Sequence, residues 1–286
     1  MKIITCLLLT MFSANSVFAE TIVRLAPGQS ENDTRHIYPH KILRLAMDAT
    51  IETDGPYEIV YSKENFTRNR ALIALQTGQM INVHEAPTRD DWEKGAIPVY
   101  IPVRKGLLGY RLLLIDKSSE ATFKNIESAD QLKKLYAGLE EQWSITKIMK
   151  TLGFNVVTGN NYEGLFGMLA ARRFDYFSRG LNEVFPEYAE RKSKYPEMII
   201  ESSIAIYIPS PTYFFVSPAY PELADRIEKG MHSIIKDGTF ELAFNQEFGD
   251  YIKSANLARR KVFTFDNPLL SDKTPINNSK YWFQNQ

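Results

Sequence analysis

The sequence predicts an α/β protein of two lobes, with the second lobe inserted into the first. Strand and helix patterns alternate over residues 20–115, and the same alternation returns over 116–206. An apolar, extended stretch from Ile199 to Ile208 then leads back to further elements of the first lobe. Because alternating strands and helices build sheets covered on both faces, we predict one lobe from 20–115 and 207–286 and another from 116–206.

The elements of the first lobe follow from the spacing of its apolar residues. A helix is predicted where apolar residues recur every three or four positions, and a strand where they alternate or form a short run. In chain order these are a strand over Ile22–Leu25, a helix over Lys41–Ala49, a strand over Tyr57–Tyr61, a helix over Phe66–Gln76 capped by Asn65, and strands over Met80–Val83 and Tyr110–Ile115.

The same criteria define the second lobe and the return to the first. The polar stretch from Asp116 to Asn125 is predicted to cross between the lobes. The elements that follow are a short helix from Ser128, a strand over Leu135–Leu139, a helix over Ser144–Leu152, a strand over Phe154–Thr158, a helix over Tyr162–Arg172, a strand over Phe174–Phe177, a strand over Tyr213–Val216, and a helix that starts at Pro221 and ends at Gly238.

The amino-terminal residues predict export from the cytoplasm. Lys2 precedes an apolar run from Ile3 to Phe12, and small or short residues, Val17 and Ala19, stand where signal peptidase accepts them. A membrane anchor is the alternative, but the run is about half of the roughly 20 residues that a span needs. We therefore expect residues 1–19 to be a cleaved signal peptide and the mature protein to be periplasmic.

Composition excludes several classes of protein. Cys6 is the single cysteine and lies within the predicted signal, so we expect no disulfide and no thiolate metal site in the mature chain. The 34 basic residues balance the 34 acidic ones, which argues against a nucleic-acid or acidic-membrane partner. We expect a monomer without a cofactor or metal.

Several motifs resemble one known family. In order and spacing, the chain is similar to type II periplasmic solute-binding proteins of the amino-acid-binding kind, solute-binding family 3. That resemblance implies a bilobal fold, a small ligand (an amino acid or related carboxylate) held between the lobes, and delivery to a membrane permease of the ABC type. It also implies closure by rotation at the crossings, near 115–117 and 206–209. The motifs that carry it are Leu75–Gln79, Thr88–Arg89, Gly109–Leu114 and Ile234–Phe240.

The chain also departs from the family pattern. Asn82 stands where the family has an acidic residue, and Glu140–Ser144 replaces its Ala-Gly-Thr-Thr segment. The segment from Arg173 to Glu183 differs as well. These departures indicate a divergent branch whose ligand need not be a standard amino acid.

Three residues of the first lobe are candidates for ligand binding. Arginine binds a carboxylate through two parallel hydrogen bonds. Arg89 occupies roughly the place that the resemblance gives to the carboxylate-binding residue, and the alternative is a solvated loop arginine beside Asp90 and Asp91. Arg111 begins an apolar strand, where a charge usually faces a cleft or a partner. Glu85 either contacts the ligand or lies at the lobe junction.

Four candidates lie in the second lobe. Arg179 follows a predicted strand, and ligands bind at the carboxyl ends of strands in open α/β sheets. Glu183 is a candidate acceptor for an amine, or it favours the start of the next helix. Trp143 is a candidate for stacking on the ligand or for anchoring the lobe surface. Asp175 is a further candidate, with a structural hydrogen bond as the alternative.

Catalytic and metal-binding signals are weak. His36 and His40 are four residues apart, as metal ligands on one helix face are, but no third ligand accompanies them, which favours solvent-facing side chains. We therefore predict a binding protein without catalytic residues. Two alternatives stay open. One is an enzyme on the same fold, of the dehydratase kind, with Glu183 and Asp175 as its acids, and the other is a protein that reports a ligand to a membrane sensor.

Overall fold

The computed structural model describes residues 19–27 and 35–284. The predicted signal peptide, apart from Ala19, therefore lies outside the described residues. The rest is an α/β structure in which helices cover three sheets. The α/β class that the alternation of patterns predicts is confirmed. No helix within these ranges is long and apolar enough to cross a membrane.

The strands and helices are numbered in chain order. The strands are β1 (Thr21–Leu25), β2 (Tyr57–Tyr61), β3 (Val83–Pro87), β4 (Ile97–Val99), β5 (Tyr110–Asp116), β6 (Tyr136–Glu140), β7 (Asn155–Gly159), β8 (Tyr176–Gly180), β9 (Met198–Ile200), β10 (Ile204–Tyr207), β11 (Thr212–Val216) and β12 (Lys261–Thr264). The helices are α1 (Ile37–Asp48), α2 (Ile51–Asp54), α3 (Arg68–Thr77), α4 (Asp90–Gly95), α5 (Glu120–Lys124), α6 (Ala129–Lys134), α7 (Ser144–Thr151), α8 (Tyr162–Ala170), α9 (Leu181–Arg191), α10 (Pro221–Lys236) and α11 (Thr239–Ala255).

The first lobe holds two small sheets that one asparagine joins. β1 and β2 are parallel, and β3, β11 and β4 form an antiparallel sheet in the order β3-β11-β4. The Asn82 side chain accepts from Arg24 N–H at 2.7 Å and donates to Ile22 O at 2.7 Å, both in β1. Its backbone carbonyl accepts from Ser217 N–H at 2.9 Å, just after β11. An amide can both donate and accept, whereas an ionised carboxylate only accepts, so Asn82 has a structural role at this junction.

The second lobe is built on one larger sheet. Its strand order is β12-β10-β5-β8-β6-β7, and β9 also pairs with β5. β5 is the central strand, antiparallel to both β8 and β10, and Arg111 to Asp116 are all buried. The predicted boundary places the strand Tyr110–Ile115 in the first lobe. This strand pairs on both edges with strands of the larger sheet, so it belongs to the second lobe. An apolar strand buried on both faces needs a neighbour along each edge.

The two crossings between the lobes therefore lie beside Gly109 and Ile208. Ile208 N–H donates to Gly109 O at 3.0 Å, so the two segments are hydrogen-bonded to each other. A Cβ atom on Gly109 would lie 2.6 Å from the carbonyl oxygen of Ile208, which leaves no room for a side chain. Next to this contact, the rings of Tyr110 and Tyr207 are 4.4 Å apart. The crossings thus meet just before β5, and the first of them lies earlier in the chain than the predicted position at 115–117.

Several element boundaries differ from the prediction by a few residues. α3 begins at Arg68, two residues later than expected. β3 begins at Val83, the last residue of the strand predicted over Met80–Val83. It begins late because Gly78 ends α3 in the left-handed conformation (φ 66°) and the chain turns before it pairs. β8 begins at Tyr176, so Arg179 lies inside the strand and only Gly180 follows it there.

Candidate functional site: the cleft between the lobes

Two arginines of the first lobe reach across to the second. Arg68, the first residue of α3, donates from Nη1 to Ser144 Oγ at 3.3 Å. Arg89, which precedes α4, donates from Nη1 to the Gln142 carbonyl oxygen at 3.4 Å. Both distances are at the long end for hydrogen bonds, so the contacts are weak. They define a cleft between the starts of α3 and α4 on one side and the turn from β6 to α7 on the other.

Arg68 carries a charge that no described residue neutralises through an ion pair. The side chain is half-buried, and no carboxylate among the described residues lies within ion-pair distance of it. Burial and the nearby positive charge of Arg89 lower its pKa to about 10, so it stays charged at neutral pH. A buried charge without a counter-charge is unfavourable. Arg68 is thus a site at which an anion would be stabilised.

Arg89 lies at the cleft, as predicted, but with an acid of its own. Its Nε donates to Asp91 Oδ1 at 2.8 Å, and its Nη2 donates to Asp91 Oδ2 at 2.5 Å. The same Nη2 is 3.3 Å from Asn69 Oδ1 on α3. Asp91 therefore occupies the fork that would otherwise bind a ligand carboxylate. This is the pairing that the sequence analysis gave as the alternative for Arg89.

Glu85 is likewise engaged inside the first lobe. It forms an ion pair with Arg104, and the two side chains are 15% and 8% exposed. Arg104 also donates from Nη2 to Arg35 O at 2.7 Å, which fixes the chain just before α1. Glu85 is therefore near the cleft, in a buried ion pair that holds the first-lobe wall together.

Three histidines complete this wall. The rings of His36 and His40 are 5.1 Å apart, and both side chains are half-buried, not exposed as predicted. Burial and the neighbouring His36 lower the pKa of His40 to about 4, and burial and the charge of Arg68 lower that of His84 to about 3. The imidazoles of His40 and His84 are therefore neutral at pH 7. Across the described ranges, no group of three or more His, Cys, Asp or Glu side chains could hold a metal ion.

The second-lobe wall contains a fully paired arginine. Arg179 is 2% exposed and donates from Nε and Nη2 to the two oxygens of Glu187, at 2.6 and 2.5 Å. Nη2 also lies 3.1 Å from Glu183 Oε2. With two carboxylates on one guanidinium, Arg179 has no charge left for a ligand. Arg179 lies inside β8 and not after the strand as predicted, and its partners are internal.

Trp143 covers this ion-pair group. Arg179 Cζ is 4.5 Å from the centre of the indole ring, and the ring stacks parallel to Phe177 with centroids 6.1 Å apart. Trp143 is also the residue that precedes α7. A cation against an aromatic face is attracted by the ring quadrupole, so Trp143 and Arg179 stabilise each other.

Glu183 is ionised and has one oxygen available. Its Oε2 accepts from Gly180 N–H at 3.0 Å at the start of α9. Burial alone would raise the pKa of this carboxyl, but the charges of Arg179 and Arg111 lower it to about 2. Oε1 makes no hydrogen bond to any residue that the structure describes. An ionised carboxylate can accept a hydrogen bond at this oxygen but cannot donate a proton.

Arg111 lies at the floor of the cleft, beside the crossings. It is 2% exposed and donates to Ser178 Oγ at 3.2 Å, to Ser178 O at 2.6 Å and to Leu108 O at 3.4 Å. Burial lowers its pKa to about 10, against the opposing charge of Glu183. Among the described residues it has no carboxylate within ion-pair distance, so its role is to tie β5, β8 and the outgoing crossing together.

Asp175 lies away from the cleft. It precedes β8 at the end opposite Gly180, about 16 Å away at the usual rise of a strand. Its Oδ2 accepts from Tyr136 N–H at 2.7 Å and links β8 to β6. Asp175 thus makes the structural bond given above as its alternative.

Arg68, Ser144 and Glu140 were not singled out from the sequence. Glu140 ends β6, near Arg68, and burial raises its pKa. The sequence does hold a signal for Arg68. Residues two apart on a helix point about 200° away from each other, so Arg68 and Arg70 lie on opposite sides of α3. Arg70 is exposed and pairs with Glu64, so Arg68 is the arginine of α3 that faces the other lobe.

Comparison with known proteins gives matches to structures alone. No protein-family model matches the sequence, and no curated protein matches it. An ancestral arginine-binding protein bound to glutamine matches with 17% identity and a TM-score of 0.57, over 81% of this chain and 99% of that one. A periplasmic His/Glu/Gln/Arg/opine family-binding protein from Silicibacter pomeroyi, in complex with lysine, matches with 11% identity and a TM-score of 0.56, over 80% and 97%. An ancestral amino acid-binding protein, a precursor of cyclohexadienyl dehydratase, matches with 15% identity and a TM-score of 0.54, over 79% and 95%.

Identities this low show the fold alone. Nearly the whole of each solved chain is matched, so the likeness extends over both of their lobes. The predicted fold class is confirmed. The chain has the bilobal type II fold of amino-acid-binding periplasmic proteins.

Proposed function

We propose that the protein binds a small carboxylate-bearing solute in the cleft between its lobes and delivers it to a membrane transporter. The observation that carries this proposal is the Arg68 guanidinium, half-buried and charged in the cleft with no carboxylate beside it among the described residues. A ligand carboxylate would supply the missing counter-charge. Charge-assisted hydrogen bonds of this kind are about twice as strong as neutral ones.

The start of α7 would complete the carboxylate site. The first N–H groups of a helix have no acceptor within the helix, and this end carries partial positive charge. Ser144, which Arg68 already contacts, is the first residue of α7. A carboxylate between Arg68 and this helix end would bind both lobes at once and replace the weak contact at 3.3 Å.

The remaining groups favour an acidic or neutral ligand over a basic one. Glu183 Oε1 is an available acceptor for the ammonium of an amino acid. Glu85 and Asp91 are already paired with arginines. A second positive charge on the ligand would find few unpaired acids and would be repelled by the arginines.

Binding would couple to closure of the lobes. The crossings beside Gly109 and Ile208 are the positions at which a rotation would occur. A ligand that contacts both walls binds the closed form more tightly than the open one, and this difference drives closure. The closed form would then dock on a permease, of the ABC type by resemblance.

The enzymatic alternative has less support. A dehydratase needs a protonated acid in the cleft, but Glu183 has its pKa lowered to about 2 by the neighbouring arginines, against the effect of burial. Asp175, the other candidate acid, is bonded to Tyr136 at the far end of β8. One of the solved structures with the same fold is a precursor of cyclohexadienyl dehydratase, and that protein is itself described as amino acid-binding.

The ligand class can be tested by isothermal titration at pH 7. L-glutamate, L-glutamine, succinate, L-arginine and L-lysine are titrated into the protein that starts at Glu20. We expect binding of the acidic and neutral solutes and the weakest binding of the two basic ones. Tight binding of arginine or lysine alone would contradict the ligand class. A panel without heat or any rise in melting temperature would count against solute binding altogether.

The periplasmic location is a separate proposal, since it rests on the signal peptide. Expression of the full chain in a bacterial host, followed by osmotic-shock fractionation and amino-terminal sequencing, would test it. We expect the protein in the periplasmic fraction with Glu20 as its first residue. An uncleaved protein in the cytoplasmic fraction would contradict the prediction.

A further inference from the structure

After α11, the chain runs from one lobe to the other once more. We call residues Lys261–Gln284 the C-terminal strap. It starts as the edge strand of the second-lobe sheet and ends against the first lobe.

The first part of the strap is bound to the second lobe. β12 pairs in parallel with β10, from Lys261 opposite Ile204 to Thr264 opposite Tyr207. Phe265 N–H then donates to Tyr207 O at 2.9 Å, which extends the pairing by a further residue. This part is a strand of the sheet.

The middle of the strap follows the returning crossing. Asn267 Nδ2 donates to Pro209 O at 2.8 Å, just after the contact between Ile208 and Gly109. Beyond it, Tyr213 OH in β11 donates to Thr274 Oγ1 at 3.2 Å, and Thr274 is buried. The strap is thus bonded on both sides of the crossing.

The last part of the strap is fixed to the first lobe and the outgoing crossing. Trp282 is 4% exposed and lies on Gly106, where a Cβ atom would overlap the indole ring. Phe283 N–H donates to Lys105 O at 2.7 Å. The Phe283 ring is 5.6 Å from that of Tyr110, the residue that follows the outgoing crossing.

We propose that the C-terminal strap is a third link between the lobes that limits how far the cleft opens. Its two ends are bound to different lobes, and the axis of rotation beside Gly109 and Ile208 lies between them. Opening the cleft therefore moves the contacts of Trp282 and Phe283 relative to β12. A rotation larger than the segment between β12 and Trp282 can span must break one set of these contacts. With the two crossings alone, no such contact would have to break.

The range of opening can be measured directly without any ligand. The predicted mature chain has no cysteine, so Ile73→Cys in the first lobe and Tyr136→Cys in the second, both exposed, allow one spin label on each lobe. Pulsed electron paramagnetic resonance then gives the distribution of distances between the labels. Trp282→Ala is the test variant, and Leu269→Ala is the control, because Leu269 is a partly exposed strap residue outside the anchors named above.

We expect one narrow distribution for the unaltered strap and for Leu269→Ala, and a broader distribution shifted to longer distances for Trp282→Ala. Circular dichroism establishes that each variant is folded. If Trp282→Ala fails to fold, Thr274→Val, which keeps the shape of the side chain and loses the hydrogen bond from Tyr213 of the first lobe, takes its place. Unchanged distributions in a folded anchor variant, or a broad distribution with the strap intact, would overturn the proposal. Neither outcome depends on a ligand, so the proposed function is tested separately.

Discussion

The two walls of the cleft use the same residue type in opposite ways. On the second-lobe wall, Arg179 is buried and bonded to both Glu187 and Glu183, beneath Trp143. On the first-lobe wall, Arg68 is half-buried, and its one hydrogen bond within the described ranges goes to a hydroxyl, Ser144 Oγ, at 3.3 Å. Arg179 is neutralised by two acids of its own lobe, whereas Arg68 has no ion-pair partner among the described residues.

The difference separates a structural arginine from a binding one. Burying a charge is unfavourable unless a counter-charge and hydrogen bonds accompany it. Arg179 meets that condition in the absence of a ligand, so its partners contribute to the stability of the lobe. Arg68 would meet it when an anion enters, so its burial contributes to affinity. The position of an arginine at the cleft does not distinguish these two roles, whereas the residues with which it pairs do.

The largest expected effect follows from breaking the Arg179 group. Glu187→Gln leaves a buried guanidinium with half of its counter-charge, and such losses typically lower the free energy of unfolding by about 3–5 kcal/mol. Urea denaturation at pH 7 measures it. Glu190→Gln is the matched control on α9, because Glu190 is 64% exposed and pairs with Arg191 at the surface. That change should alter stability by less than about 1 kcal/mol. Equal effects of the two variants would contradict the structural role of the Arg179 group.

A smaller effect should appear as pH dependence. Against the effect of burial, Arg179 and Arg111 lower the pKa of Glu183 from 4.5 to about 2. A lowered pKa in the folded state stabilises the protein above pH 4.5, and this contribution is lost as the pH falls towards 2. At pH 7 it amounts to about 3 kcal/mol.

The comparison of wild type with Glu183→Gln isolates this contribution. The difference in the free energy of unfolding should be largest at pH 7 and should shrink below pH 4.5. Urea titrations at several pH values between 3 and 7 measure it. A difference that is constant over this range would mean that Glu183 is not held ionised by its neighbours.

The smallest effect concerns the start of α7. Ser144→Ala removes the hydroxyl that would donate to a carboxylate bound between Arg68 and this helix end, and one such hydrogen bond contributes about 0.5–1.5 kcal/mol. We expect solute affinity to fall by no more than about tenfold, as measured by titration with the tightest solute of the panel. Thr151→Ala, at the exposed end of the same helix, should leave affinity unchanged. A loss of all binding in Ser144→Ala would assign the main role to Ser144 instead of Arg68.

Most of the fold could be predicted from the sequence because its elements repeat a simple pattern. β2 has the predicted bounds and α7 starts at the predicted residue, since alternation and helical spacing are local properties. β8 starts two residues later than the predicted Phe174–Phe177, because a short pattern of aromatic residues does not fix the register of a strand. Pairing with β5 fixes it, and the sequence holds no local record of that pairing.

The candidate site could be predicted only in part. The rule that ligands bind at the carboxyl ends of strands led to Arg179, which lies inside β8, and to Glu183, which follows it, but the rule does not identify their partner. The spacing of Glu183 and Glu187, four residues apart on α9, does contain that information, because such residues lie on one helix face. Arg68 was not predicted because its proposed role depends on which acids lie near it, and no described residue places a carboxylate within ion-pair distance. That distance is set by the packing of the two lobes.

The most direct test of the account is the effect of Arg68→Gln on binding and on stability. Titration with the tightest solute of the panel should show a loss of about 1.5–3 kcal/mol, or roughly tenfold to over a hundredfold in affinity. The free energy of unfolding without ligand should change by less than about 1 kcal/mol, since no ion pair is broken. Arg70→Gln, on the same helix with its side chain 62% exposed, should bind as the wild type does. Unchanged affinity in Arg68→Gln, or a large loss of stability without a loss of binding, would contradict the assignment of Arg68 as the ligand's counter-charge.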